Sequence, residues 1–201
     1  MSQPVRHEQI LEAALKRFAH FGVRKTTLTE IAEDLSLSKQ ALHYYFPDKA
    51  SLTRAVIAQI TDTYIAAVGK ELAPGVPIIK ALEGIVAVRA RFFRSYYPLI
   101  AQLDTGSNEP SAGAIGLLHE VLRREAGLLA DCLRSAIARG EVRPMDADAT
   151  ATLLIETLAA LSRQLHFKCL PSLADFEQVT VRQTALAHLL YNGLKNEAWK
   201  H

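Results

Sequence analysis

TLTEIAEDLSLSKQALHYYFPDKASL, residues 27 to 52, holds two short helical patterns separated by a tight turn. Thr27 is a strong helix N-cap, and Glu30 three residues later completes a capping box. Leu28, Ile31, Ala32 and Leu35 then recur at helical spacing and give the first helix one apolar face. SerLeuSer at 36–38 makes the turn, and Ser38 caps a second helix over 39–45. Pro47 bars that helix from continuing. Asp48 caps another helix that runs from about 49 to 71.

Two short helices joined by a tight turn predict a helix-turn-helix. Leu37, Leu42 and Phe46 cover the apolar face of the first helix. That leaves Lys39, Gln40, His43 and Tyr44 outward on the second, with Ala41 and Tyr45 at the flank. These side chains suit a DNA major groove. Lysine donates to guanine or phosphate, glutamine pairs with adenine, and an alanine methyl meets a thymine methyl. Tyrosine hydroxyls and histidine ring N–H groups hold phosphates and set the register. Ser38 and Thr27 place helix N-termini where backbone N–H groups can grip a phosphate. Lys25 and Thr26 lie just before the first of these, and Lys49 opens the long helix on the far side. Double-stranded DNA is the expected partner.

The same segment resembles the DNA-binding region of the tetracycline-repressor (TetR) family of bacterial regulators. The resemblance rests on Thr27, Ile31, Ala32, Leu35, Ser38, Lys39, Leu42, Tyr45, Phe46, Lys49 and Leu52 and covers residues 8 to 54. It departs from the family pattern at Ser36, where a glycine is usual, and at Gln40, Ala41 and His43, which bear on the operator sequence. A non-glycine residue at 36 must accept a left-handed or strained backbone, at a cost of about 1 kcal/mol. The resemblance implies an N-terminal three-helix DNA-binding domain, residues 1–50, and a helical ligand-binding and dimerisation domain, residues 51–201. It also implies a repressor released from a pseudo-palindromic operator by a small-molecule effector.

Charge supports this reading only through its placement. Residues 1–50 hold seven Lys or Arg against six Asp or Glu, a net of +1, and the whole chain is +2. Glu30, Glu33 and Asp34 must therefore face away from the phosphates.

Upstream, Ile10, Ala14, Phe18 and Phe21 make an apolar stripe on a helix over 5–21, which Gly22 ends. Downstream the periods stay helical, over about 77–95, 97–104, 114–139, 146–167 and 173–197, with a loop at 105–113. The expected fold is all-α with about nine helices and no strand. Ala147, Ala151, Leu154, Leu158, Leu161 and Leu165 line one side of the 146–167 helix, and Ala149, Leu153 and Ala160 part of another. A helix apolar on two sides is buried on two sides. With the stripe Phe176, Val179, Leu186, Leu190 and Leu194 of the last helix, it predicts a homodimer through a four-helix bundle. The candidate ligand lining is Arg89, Phe92, Phe93, Tyr96, Tyr97, His119 and Arg123, aromatic with a few polar groups. The same aromatic spacing also fits plain core.

Enzyme signatures are missing: there is no GxSxG, HExxH, P-loop or GxGxxG. His119 and Glu120 are adjacent and point about 100° apart on a helix. No metal spacing and no cofactor motif is found, which weighs against a helical enzyme or carrier. A DNA-binding dimer controlled by a protein partner or by abundance remains the alternative to a small-molecule inducer. Neither a signal peptide nor a membrane span is expected, and Cys132 and Cys169 form no CxxC pair, so a soluble cytoplasmic protein with free thiols is expected.

Overall fold

The structure, a computed structural model, describes residues 3–104, 112–162 and 172–196. It is all-helical there: α1 (Gln3–Phe21), α2 (Leu28–Asp34), α3 (Lys39–Tyr45), α4 (Lys49–Glu71), α5 (Ile78–Asp104), α6 (Ala112–Ala138), α7 (Ala147–Ser162) and α8 (Leu173–Leu194). The one β feature among the described residues is an isolated bridge between Val142 and Lys195. Most of the loop expected at 105–113, the last turn of the expected 146–167 helix, Leu165 and Cys169 lie outside the described residues.

Among the described residues eight helices stand where about nine were expected, because the segments 77–95 and 97–104 form a single helix, α5. Proline lacks the N–H that continues a helix and crowds the preceding turn, yet α5 passes through Pro98. The next residue, Leu99, is 1% exposed and belongs to a hydrophobic core. Tertiary burial outweighs the local preference there.

The described backbone forms two compact units, and α4 and α5 contribute to both. The first contains α1, α2, α3, α4 up to residue 63, and α5 from residue 95. Its core is Ile10, Leu11, Ala14 and Phe18 of α1, Ile31 and Ala32 of α2, Leu42 and Phe46 at α3, Leu52 and Val56 of α4, and Leu99. Leu35 and Leu37 pack on this core from the turn. The stripe expected on α1 is therefore buried as far as Phe18, whereas Phe21 is exposed, with Arg17 over its ring.

Capping chemistry sets the ends of these short helices. The Thr27 hydroxyl accepts from the Glu30 backbone N–H, and the Glu30 carboxylate accepts from the Thr27 N–H at 2.7 Å. At the other end of α2, Ser36 N–H donates to the Glu33 carbonyl at 3.0 Å and Leu37 N–H to the Ala32 carbonyl at 2.8 Å. This paired pattern is a Schellman motif, which places its C′ residue in the left-handed region. Ser36 occupies that place with φ 53°. It is the one non-glycine residue with positive φ among the described residues.

The second unit contains the end of α4, α5 up to residue 94, α6, α7 and α8. Its core joins Val68, Leu82, Ile85, Leu129, Leu133, Leu154, Ile155, Leu158, Ala187 and Tyr191. Buried polar groups interrupt it, among them the Arg89–Glu125 ion pair and the sites around Glu141 and Gln183. The Glu141 carboxylate, fully buried, accepts from the Ile78 N–H at the head of α5 and from Arg139. The Gln183 amide donates to the Leu158 carbonyl and the Ser162 hydroxyl. α5 also comes close to the end of α4 at Gly84, where an added Cβ would stand 2.7 Å from the Cβ of Glu71. Cys132 is a buried free thiol, and burial pushes it up from its ordinary pKa.

Candidate nucleic-acid interface

The α3 surface is built on anchors buried beneath it. Leu42 is fully buried and Phe46 nearly so, which fixes the rotation of this seven-residue helix. Ser38 caps it, its hydroxyl accepting from the Ala41 N–H at 3.1 Å. Asp48 then starts α4 by accepting from the Ser51 N–H at 2.6 Å. That hydrogen bond holds the Asp48 carboxyl below the usual carboxylate range.

With those anchors inward, Lys39 and Gln40 are exposed, Ala41 and His43 are partly exposed, and Tyr44 is 73% exposed. Tyr45 is half-buried, packs on the core and meets the Tyr44 ring edge-on at 5.4 Å. The His43 Nδ1 lies 3.0 Å from the Pro47 carbonyl oxygen. Lys49 donates from its ammonium to the Arg24 carbonyl at 3.3 Å, tying the head of α4 to the α1–α2 link. Lys25 and Thr27 are exposed in that link, and the Thr27 N–H is already taken by Glu30.

Thr26 is not brought to this surface. It is 1% exposed and its hydroxyl donates to the Gly22 carbonyl at 2.9 Å. Its part is to close the α1–α2 link.

Two acids near the surface are held by α1. Arg17 makes a two-pronged contact with Asp34 and reaches Glu30 at 3.6 Å. The Arg17 hydrogen bond holds the Asp34 carboxyl below its usual range, and the Thr27 N–H and hydroxyl do the same for Glu30. Sequence reading required these acids to turn away but had no means of naming Arg17. It also missed the two carbonyls, of Pro47 and Arg24, that hold His43 and Lys49.

The residues expected to line a ligand site are dispersed. Arg89 is 5% exposed and grips the fully buried Glu125 through Nε and Nη2, while the Tyr64 hydroxyl donates to the same carboxylate at 2.8 Å. Burial alone would lower the Arg89 pKa, but Glu125 and then Tyr64 outweigh it and the net direction is up. Burial chiefly drives the Tyr64 hydroxyl well above its ordinary range. Phe92 stands edge-on to Tyr64 at 5.3 Å. Arg89 and Phe93 share a cavity with Ala90, Ser162, Phe176, Val179, Thr180 and Gln183, of about 10 Å³. That is room for about one water. His119 and Arg123 are exposed on α6, and Arg123 pairs with Glu120. Tyr96 is half-buried and falls in the first unit, and the Tyr97 side chain lies outside the described residues. No group of three or more metal-ligating side chains occurs among the described residues. Nor is any described helix long and apolar enough to cross a membrane.

A capped helix pair with a polar, partly aromatic second helix, joined to a larger helical unit, defines a helix-turn-helix protein of the two-unit type. The comparisons make the class specific. The model of the family described as "Bacterial regulatory proteins, tetR family" matches residues 10–56. The HTH-type transcriptional regulator RutR of Escherichia coli (strain K12) is 33% identical over 147 residues, 68% of this chain and 64% of RutR. The HTH-type transcriptional regulator TtgR of Pseudomonas putida is 38% identical over 56 residues, 28% of this chain and 27% of TtgR. A transcriptional regulator from Cytophaga hutchinsonii superposes with a TM-score of 0.83 at 26% identity, covering 94% of this chain and 98% of that one. A putative TetR-family regulator from Mesorhizobium loti shares the fold, with a TM-score of 0.71 at 18% identity over 98% and 100% of the two chains. The chain belongs to the tetR family of bacterial regulatory proteins, a family of transcriptional regulators and not of enzymes. It spans just under two thirds, 64%, of the length of the RutR proteins it matches.

Proposed function

We propose that the chain is a homodimeric, DNA-binding transcriptional regulator that acts as a repressor. Each protomer lays α3 in the major groove of one half of a pseudo-palindromic operator. Lys39 and Gln40 reach base edges, and Tyr44, Lys25 and Lys49 hold the backbone. The observation that carries this reading is the α3 surface, a polar helix face fixed by buried Leu42 and Phe46, with Glu30 and Asp34 of α2 paired to Arg17. Residues 1–50 serve as the DNA-binding domain, and residues 51–201 as the dimerisation and effector domain.

Dimerisation through α7 and α8 follows from their second faces. Leu153 on α7 and Val181 and Leu189 on α8 are 64%, 68% and 70% exposed, while the opposite sides of both helices are buried in their own unit. A two-fold pairing of such helices supplies the two recognition helices that a palindrome needs. Sedimentation of the protein with and without a selected operator tests this. Two chains per duplex are expected, and a single chain on one half-site would defeat the dimer.

The effector is a small molecule that enters beside Arg89 and Phe93 and couples to DNA release, typically by about 1–3 kcal/mol. The small volume of the cavity there favours a second reading, in which a protein partner or abundance controls the dimer. A thermal-shift screen of small metabolites separates them, because a ligand that binds only the folded state raises the midpoint.

A further inference from the structure

His43 stands where the family resemblance has a tyrosine. A tyrosine hydroxyl can donate to a phosphate. What the imidazole can do depends on which nitrogen holds its proton, and the neighbouring backbone decides that. Nδ1 of His43 is 3.0 Å from the carbonyl oxygen of Pro47. A carbonyl oxygen only accepts, so Nδ1 must carry the hydrogen. Neutral imidazole has one N–H, and here it is committed to Pro47. Nε2 is then left with a lone pair and no hydrogen.

The contact is well supported from both sides. Pro47 follows the C-cap residue Phe46, which is 4% exposed and stacks with His7 at 4.9 Å. Asp48 directly after Pro47 is held by Ser51. The carbonyl is therefore set between two anchored residues. His43 also lies three residues after Gln40 and four after Lys39, a spacing that puts all three on one side of α3.

An acceptor nitrogen has no favourable partner on a phosphate, whose oxygens also accept. In the major groove the donors are the exocyclic amines, N4 of cytosine and N6 of adenine. We propose that His43 is a specificity-determining residue: held as the Nδ1–H tautomer by Pro47, it presents Nε2 to the exocyclic amine of a cytosine or adenine in each half-site. This rests on the DNA-binding reading above and deepens it. The phosphate contacts of this region then fall to Tyr44, Lys25 and Lys49.

The test is an operator selection from random duplex DNA at pH 8, above the ordinary imidazole range, with the full chain and with His43→Ala. Wild type is expected to select cytosine or adenine at one position of each half-site. His43→Ala is expected to lose that preference and keep the others. Deleting the amine alone, with purine for adenine or 2-pyrimidinone for cytosine, should weaken wild type by about 3- to 10-fold and leave His43→Ala unchanged. An unchanged consensus in the variant, or an equal effect of amine deletion on both proteins, overturns the proposal. If wild type selects no sequence at all, the DNA-binding reading fails and takes this one with it. Nitrogen NMR of the free protein at pH 8 provides a check that needs no variant. It should show the His43 hydrogen on Nδ1, and a hydrogen on Nε2 overturns the assignment.

Discussion

Replacing Glu125 with leucine should be the most damaging single change in the second unit. The carboxylate is fully buried and Arg89 is 5% exposed, so neither charge is shared with solvent. The value of a surface ion pair, up to about 1 kcal/mol, does not apply to such a pair. Glu125→Leu leaves a guanidinium that cannot shed its proton and deprives the Tyr64 hydroxyl of its acceptor. Breaking a buried pair from one side costs about 3–5 kcal/mol. Arg89→Met should cost less, because a carboxyl left alone can take up a proton and become neutral. The double variant Arg89→Met/Glu125→Leu removes both charges and should return most of the loss, since a buried pair often breaks even against apolar residues of similar volume. Urea unfolding followed by circular dichroism gives all three values, and the cycle should yield a coupling of about 3 kcal/mol or more. A loss below about 1 kcal/mol for Glu125→Leu, or additive single effects, would refute the claim that a desolvated pair holds this unit.

Three further outcomes follow from the first unit. Ser36→Gly relieves a left-handed serine at φ 53°, worth about 1 kcal/mol, but adds unfolded-state entropy of about 0.4–1 kcal/mol. The thermal midpoint should hold or rise slightly, and a clear fall would show that the serine side chain contributes more than its backbone strain costs. Asp34, Glu30 and Asp48 all sit below their ordinary carboxylate range. The folded chain therefore binds these protons more weakly than the unfolded one, and the stability they contribute is present above about pH 4 and lost as pH falls through that value and below. Arg17→Ala should flatten that acid limb, and an unchanged limb would remove Arg17 from it. Lys49→Ala should weaken binding to all DNA sequences and lower the salt slope by about 0.9, whereas an unchanged slope would confine Lys49 to its contact with the Arg24 carbonyl.

Features that depend on a few neighbouring residues were readable from the sequence. The Thr27–Glu30 capping box, the Ser38 cap and the anchors Leu42 and Phe46 are all local, and each recurs in the structure; the left-handed backbone at Ser36, also present, came from the family resemblance, which has a glycine there. The helical period of α7 also separated its buried stripe, Ala147, Ala151, Leu154 and Leu158, from the exposed Leu153. Contacts between distant residues were not. Arg17 reaches Asp34 across seventeen residues, and Arg89 reaches Glu125 across thirty-six. No periodicity reports which cation finds which acid. Thr26 and Thr27 look alike in sequence, but one hydroxyl turns in to Gly22 and the other caps α2. The break expected before Pro98 failed because burial of Leu99 decided the matter. The tautomer of His43 was hidden because a backbone carbonyl sets it.

The most direct measurement of the central claim is fluorescence anisotropy of the full chain on labelled duplex DNA selected from a random pool. Wild type is compared with Lys39→Ala/Gln40→Ala at two salt concentrations with a scrambled competitor. Both positions are exposed on α3, so the variant should keep the wild-type melting temperature. Competitor-resistant binding by wild type, weakened about ten-fold or more in the variant, is the predicted result. Equal binding by the two proteins to selected and scrambled DNA would contradict the placement of α3 in the groove.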